Sequence, residues 1–180
     1  MIENKKSIIV LVAVWVIALA AGGIYYNLKS TSKVINIVKT EKKEKLSQEA
    51  GKFEKVKFYY PDKDYKELKV KNEDIPLYFK KRDKIEKIAE DSFENLYTAK
   101  ILATPQIDVK NVYITGDTVY IDCDANIISL KEANRKNILG IYSIVNSITE
   151  VPGINKVKIL VDEKEESGNF GRIYTRNMNF

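Results

Sequence analysis

The chain passes from a helical pattern to a strand pattern within one stretch, IYSIVNSITEVPGINKVKILVD at residues 141–162. Up to Ile148 the apolar residues recur at helical spacing and mark one face of an α-helix. Pro152-Gly153 ends the helix, because proline cannot continue it and glycine suits a turn. The apolar residues then alternate, as in a β-strand, at Val157, Ile159 and Val161. The stretch predicts a helix that covers the sheet to which this strand belongs.

The residues before this stretch predict a hairpin and the start of the same helix. Two short apolar runs, Val112 with Ile114 and Val119 with Ile121, flank the dipeptide Gly116-Asp117. Glycine and aspartate are the residues that a tight primed turn between two strands requires. Ser129 and Glu132, three positions apart, have the form of a capping box, so the helix is predicted to open there.

The first half of the domain predicts two strands and one helix. Val56, Phe58 and Tyr60 alternate with other residues until Pro61-Asp62 breaks the run, and a weaker strand follows around residues 68–70. Asp83 and Glu86 resemble a capping box and predict the start of the helix. One apolar stripe follows, made of Ile85, Ile88, Ala89, Phe93, Leu96 and Tyr97.

This first helix must end before Pro105. The predicted order is therefore ββαββαβ. The predicted fold class is α+β, a two-layer domain in which two helices pack on one face of a small mixed sheet.

A long apolar segment precedes the domain. Residues 8–26, IIVLVAVWVIALAAGGIYY, carry no charge. As a helix they would extend about 28 Å, close to the roughly 30 Å of a bilayer core. They predict one transmembrane helix after a short flank at residues 1–7, followed by a polar linker at 27–52 and a folded domain at 53–180. A cleaved signal peptide is the alternative, because Ala18-Leu19-Ala20 resembles a cleavage site.

The distribution of charge bears on orientation and on partners. Lysines lie on both sides of residues 8–26, and the positive-inside rule is weak for a long following domain, so charge alone leaves the orientation open. Residues 1–52 hold nine lysines and four glutamates, which is the whole of the net charge of +5. Since residues 53–180 are neutral as a set, the folded part lacks the positive surface of a nucleic-acid-binding domain.

The residues with chemical potential do not form a recognised catalytic set. The chain contains no histidine and a single cysteine, Cys123, which is expected to be a small buried apolar residue. Asp122 and Asp124 are two apart in a strand and would point to one face. They begin a sequence like a calcium loop, which fails at Ile127 and Ala133. Ser143 and Ser147 have no base nearby in the sequence. No catalytic, cofactor-binding or metal site is therefore predicted.

Four segments in order resemble the GerMN domain family. They are Val56–Asp62, Tyr113–Asp122, Ile141–Asp162 and Phe170–Thr175, and the resemblance extends over roughly residues 53–175. The sequence departs from the family pattern at Ile148-Thr149, where Leu-Thr is usual. It departs again at Glu163, where the family has glycine, and at Asp124, where serine is frequent.

The resemblance implies a fold like the ring-building motif of sporulation channel proteins and a role in sporulation or germination. It also implies a domain outside the cytoplasm, behind an N-terminal anchor or a lipid, and the family has no attributed catalytic activity. The leading hypothesis is thus a membrane-anchored scaffold of the cell envelope that binds proteins, including copies of itself. The alternative is a module that binds peptidoglycan or another envelope polymer through surfaces such as Lys57–Tyr60. A hydrolase using Asp122 and Asp124 is the third hypothesis.

Overall fold

The computed structural model describes residues 47–179. The predicted flank at residues 1–7, the transmembrane helix at 8–26 and the linker up to residue 46 lie outside the described residues. Within the described residues, no helix has both the length and the apolar character needed to cross a membrane. The first strand already begins at Gln48, inside the stretch predicted as linker.

The elements of the described part follow the predicted order. They are β1 (Gln48–Pro61), β2 (Leu68–Tyr78), α1 (Lys81–Thr98), β3 (Val109–Thr115), β4 (Thr118–Cys123), α2 (Arg135–Ile148), β5 (Lys156–Val161) and β6 (Tyr174–Thr175). Short 3-10 helices span Ala125–Leu130 and Gly168–Gly171. The order ββαββαβ and the α+β class are thus confirmed, with β6 added at the end.

The strands form two sheets, so the prediction of a single sheet is wrong. β1 and β2 make an antiparallel hairpin of their own, and the second sheet has the order β3-β4-β5-β6. The second sheet is mixed, as predicted, because β4 and β5 run parallel. The two sheets stay separate because hydroxyl groups of Ser143 and Ser147 on α2 bond the outer edge of β1 at Tyr59, where another strand would have to pair.

One hydrophobic core joins the hairpin, the helices and the four-stranded sheet. Each helix contacts both sheets. Phe58 of β1, Phe93 of α1 and Phe170 of the second 3-10 helix are among its fully buried side chains. Burial of each ring removes enough apolar surface from water to contribute about 1.5–3 kcal/mol. The core therefore holds the hairpin in a fixed position against the end of α1.

Both predicted capping boxes are wrong in detail. α1 begins at Lys81, and Asp83 lies buried in its first turn, where it accepts hydrogen bonds from the N–H (2.7 Å) and the hydroxyl (2.6 Å) of Ser47. α2 begins at Arg135, and its N-cap is Asn134, whose Oδ1 accepts from the N–H of Asn137 at 2.9 Å.

The second error has a local cause. The residues from Ala125 to Leu130 form a 3-10 helix capped by Asp124, so the chain cannot enter α2 until it has turned again. The side-chain amide of Asn137 donates to the carbonyls of Ser129 and Glu132, which ties this extra turn to α2.

The predicted turn between β3 and β4 is confirmed. Thr115 pairs with Thr118 across Gly116-Asp117. Gly116 has φ +60, whereas Asp117 is not among the residues of positive φ. This is the pattern of a type II′ turn, in which glycine occupies the first central position.

Candidate functional site

Asp122 and Asp124 do not form the paired carboxylate site that the third hypothesis requires. The Asp122 side chain is fully buried, and its Oδ1 accepts a hydrogen bond of 2.7 Å from the N–H of Glu163. Burial raises the pKa of Asp122, and the Glu163 N–H opposes that rise. Asp124 caps the following 3-10 helix by accepting from the N–H of Asn126 at 3.1 Å. Each carboxylate therefore holds a turn of the backbone.

The remaining residues considered from the sequence are also structural. Cys123 is fully buried in the core, and desolvation raises the pKa of its thiol well above the ordinary value. Ser147 accepts from the N–H of Tyr59 and donates to the carbonyl of Ser143. Among residues 47–179, no group of three or more histidine, cysteine, aspartate or glutamate side chains could hold a metal ion.

A pocket of about 540 Å³ lies at the closed end of the β1–β2 hairpin, against the end of α1. This volume is within the range of about 300–1,000 Å³ that small ligands occupy. The hairpin contributes Tyr60, Pro61, Asp62, Lys63, Tyr65 and Lys71 to its lining. The other side is lined by Asn95 and Thr98 of α1 and by Ala99 and Lys100, which follow the helix. We call this the hairpin pocket.

The α1 side of the hairpin pocket is closed by a Schellman motif. Ala99 is the C-cap of the helix. The N–H of Lys100 donates to the carbonyl of Tyr97 at 2.8 Å, and the N–H of Ile101 donates to the carbonyl of Leu96 at 2.9 Å. Lys100 takes the left-handed position of this motif, with φ +58, where glycine is usual. The helix therefore ends with a lysine side chain at the rim of the pocket.

The turn between β1 and β2 forms the other side. Asp62 Oδ1 accepts hydrogen bonds from the N–H groups of Lys66 (2.6 Å) and Glu67 (3.2 Å). Desolvation favours the neutral acid, but these bonds outweigh it and keep the pKa of Asp62 below its ordinary value. The carboxylate of Asp62 is thus ionised at neutral pH and already engaged by the backbone.

Tyr65 joins the two sides of the hairpin pocket. It has a left-handed backbone, with φ +54, and its hydroxyl donates to the carbonyl of Ala99 at 2.8 Å. The first turn of α2 fixes the same segment: Arg135 donates to the carbonyls of Tyr65 and Lys66 at 2.9 and 2.7 Å. The ammonium of Lys136 lies 5.3 Å from the centre of the Tyr65 ring, within the range of a cation–π contact.

Sequence reasoning identified this surface only in part. Of the segment Lys57–Tyr60, Phe58 and Tyr59 are buried, and Tyr60 is the residue that lines the pocket. Tyr65 and Lys100 were not singled out. A signal for Lys100 was present, because the segment TAKILATP at residues 98–105 closes a helix without a glycine.

A second exposed feature lies where the chain enters the domain. Phe53 of β1 is 66% exposed, and Phe79, just beyond β2, is 70% exposed. The N–H of Phe79 donates to the carbonyl of Ser47 at 2.9 Å, which places it beside the first described residue. We call these two rings the entry aromatics. Among the large hydrophobic residues of the described part of the chain, these two side chains are the most exposed.

The architecture defines a class of small α+β domains, in which a hairpin and a mixed four-stranded sheet share one core through two helices. The family model Germane, described as sporulation and spore germination, matches residues 57–167, and the chain belongs to this family. The family resemblance expected from the sequence is thereby confirmed.

The fold is similar to that of a solved structure. The tandem GerMN domains of the sporulation protein GerM from Bacillus subtilis share 16% identity with a TM-score of 0.51; the match covers 78% of this chain and 50% of that one. The present chain thus spans about half of that tandem structure.

Two further structures are similar. The first GerMN domain of the same Bacillus subtilis protein has 22% identity, covers 62% of this chain and 85% of its own, and gives a TM-score of 0.39. A putative lipoprotein from Clostridium perfringens has 18% identity, coverages of 73% and 93%, and a TM-score of 0.39. Comparison with curated proteins gives no significant match.

Proposed function

We propose that this GerMN protein is a membrane-anchored scaffold of the cell envelope, which holds protein partners at the membrane and is not an enzyme. In this proposal residues 8–26 cross the membrane once and the domain lies outside the cytoplasm. Membership of a sporulation and germination family supports a role in such a process. The apolar, charge-free run at residues 8–26 supports the anchor.

The observation that carries the scaffold role is the exposure of the entry aromatics. Phe53 and Phe79 leave most of their rings in water, although each would gain about 1.5–3 kcal/mol if a partner buried it fully. In this proposal a neighbouring envelope protein, or another copy of this chain, binds the domain at these two rings. Self-assembly into a ring is one form of this proposal.

Location is tested by adding a protease to intact protoplasts that carry the full chain with a C-terminal tag. Loss of the tag without lysis supports a domain outside the cytoplasm. Protection until lysis would overturn that location. The mass of the mature N-terminus, measured on the same material, decides between an uncleaved anchor and a signal peptide cut after Ala20.

Partner contact is tested in the same cells by placing a photo-crosslinking amino acid at Phe53, at Phe79 or, as a control, at Ile173, which is 53% exposed elsewhere on the domain. The proposal expects discrete crosslinked species from the first two positions and none from the control. A product of twice the chain mass would identify self-assembly. The same pattern at all three positions would contradict a defined docking surface.

The second candidate function is binding of an envelope polymer, and the hairpin pocket favours it. The pocket combines tyrosine rings with lysine ammonium groups at the solvent-exposed end of the hairpin. Co-sedimentation of the full chain with purified sacculi tests this function. Recovery of the protein in the pellet at physiological salt supports it, and protein that stays in the supernatant argues for the scaffold alone.

A further inference from the structure

We propose that the hairpin pocket binds an anionic saccharide, with Lys63 and Lys100 facing its negative charge and Tyr60 facing its sugar ring. This inference deepens the second candidate function and rests on the proposed location of the domain outside the cytoplasm.

The charge of the pocket is the first argument. Its lining contains the lysines Lys63, Lys71 and Lys100 and a single acid, Asp62. Asp62 is occupied by two backbone N–H groups of its own turn. Lys71 pairs with Glu73 at 3.0 Å, but neither Lys63 nor Lys100 forms an ion pair within residues 47–179. The lining thus carries two ammonium groups without an ion pair against the one carboxylate of Asp62, a net positive charge that favours an anion.

The carbonyl end of a helix normally opposes an anion, since it carries a partial negative charge. Here the carbonyls of Leu96 and Tyr97 accept hydrogen bonds within the Schellman motif. The carbonyl of Ala99 accepts one from the Tyr65 hydroxyl. These groups already have donors, so the end of α1 presents fewer free carbonyls to the pocket. The end of α1 therefore opposes the positive charge of Lys100 less than an uncapped helix end would.

Backbone strain is the second, independent argument. Two of the four non-glycine residues with positive φ in the described chain, Tyr65 and Lys100, line this pocket. Glycine would adopt either conformation at less cost, and residues held in such conformations cluster at functional sites. Glycine would end the helix at less cost than Lys100 does. We therefore infer that the lysine side chain has a role other than ending the helix.

The remaining lining residues select the ligand class. Tyr60 offers an aromatic ring, while Asn95 and Thr98 offer an amide and a hydroxyl group. A sugar has an apolar ring face and a rim of hydroxyl groups, which match an amphipathic aromatic ring beside neutral polar groups. A carboxylate or a phosphate on the sugar would pair equally well with the lysine ammonium groups. The negative charge of the ligand can therefore come from either group.

The test is isothermal titration calorimetry on the full chain in detergent micelles. The probes are soluble glycan fragments that contain N-acetylmuramic acid, glucose 6-phosphate, a neutral N-acetylglucosamine oligosaccharide and an oligoglutamate peptide. The proposal expects binding of the first, the second or both, weakened by added salt because screening reduces exposed charge attraction. Equal binding of the neutral sugar, or tighter binding of the peptide, would overturn it.

The decisive variant is Lys100→Gly, which relieves the strained backbone and removes the ammonium group. It is expected to unfold at a higher temperature than the wild type and yet to bind the anionic sugar about fivefold more weakly. The matched control is Glu163→Gly, the same relief of a left-handed residue outside the pocket, where φ is +64. The control should gain stability and keep the wild-type affinity.

The outcomes separate this inference from the proposed function. If Lys100→Gly and Glu163→Gly both bind as the wild type does, the pocket assignment is wrong. Calorimetry on purified protein does not depend on where the domain lies in the cell. A cytoplasmic domain found by proteolysis would therefore refute the scaffold proposal, whereas absent sugar binding refutes the pocket alone.

Discussion

The backbone N–H of Tyr59 in β1 donates a hydrogen bond of 3.0 Å to the hydroxyl oxygen of Ser147 in α2, 88 residues further along the chain. The carbonyl of Tyr59 accepts a hydrogen bond from the hydroxyl of Ser143. Two helix side chains thus satisfy the backbone groups that a neighbouring strand would otherwise pair. Since buried backbone groups must have partners, this contact fixes the hairpin against α2 and ends its sheet at β1.

Replacement of Ser147 by alanine is expected to destabilise the domain by about 1–3 kcal/mol, because it leaves the buried N–H of Tyr59 without an acceptor. The free energy of unfolding is measured by urea titration of residues 47–180, followed by far-ultraviolet circular dichroism. Ser129→Ala is the control, since Ser129 is exposed and takes part in the fold through its carbonyl. Equal stability of the two variants would show that the Tyr59 contact contributes nothing.

The elements that the sequence predicted correctly are those with local causes. The helix stripes, the alternating strands and the Gly116-Asp117 turn each depend on residues within a few positions of one another. The division into two sheets depends on a contact between Tyr59 and Ser147, and no local pattern carries that information. The start of α2 was misplaced because a 3-10 helix intervenes after Asp124.

The candidate site was less predictable than the fold. Tyr60 belonged to the segment of interleaved tyrosine and lysine, but its neighbour Tyr59 proved to be a core residue. Tyr65 and Lys100 come together only because the hairpin turn meets the end of α1, as the bond from the Tyr65 hydroxyl to Ala99 shows. Their shared feature, a left-handed backbone without glycine, becomes visible only in the structure.

Glu163→Gly is expected to stabilise the domain by about 0.5–1 kcal/mol. Glu163 has φ +64, a conformation that costs an L-residue energy and that glycine adopts freely. The N–H of residue 163 continues to donate to Asp122 after the change, so the turn is kept. The thermal midpoint, followed by circular dichroism, should rise.

The control for this prediction is the same replacement at Glu132, an exposed residue whose φ is not positive. There glycine only adds freedom to the unfolded chain, so a loss of about 0.5–1 kcal/mol is expected. The two variants should therefore shift the midpoint in opposite directions. A loss of stability in both would mean that Glu163 is not strained.

Gly168→Ala is expected to cost about 3 kcal/mol or more. Gly168 has φ +66, and a Cβ added there would lie under 3.0 Å from the carbonyl oxygen of Lys131, a backbone atom that cannot move aside. Gly116→Ala is the control, because its φ of +60 is equally unfavourable while no atom lies within 4 Å of the added Cβ. The control should lose only about 1 kcal/mol, measured by urea titration, and equal losses would exclude the clash.

The hydrogen bonds that Glu150 accepts make the stability of the domain depend on pH. Its Oε1 accepts hydrogen bonds from the Tyr59 hydroxyl, at 2.7 Å, and from Arg176. Burial alone would raise the pKa of Glu150, but these two donors outweigh it and keep the pKa below the ordinary value of 4.5. The ionised carboxylate therefore stabilises the fold above pH 4.5, and this contribution is lost as the pH falls through the lower pKa of the folded state.

Glu150→Gln keeps the size of the side chain and removes the titration. The wild type is expected to be the more stable of the two at pH 7 and to lose that advantage as the pH falls below 4.5 and through the lower pKa of the folded state. Asp83 and other acids titrate in both proteins, so the difference between their urea-unfolding free energies isolates Glu150. Glu132→Gln, in which no ion pair within residues 47–179 is removed, should follow the wild-type curve. Parallel curves for the wild type and Glu150→Gln would instead mean that the carboxylate gains nothing from Tyr59 and Arg176.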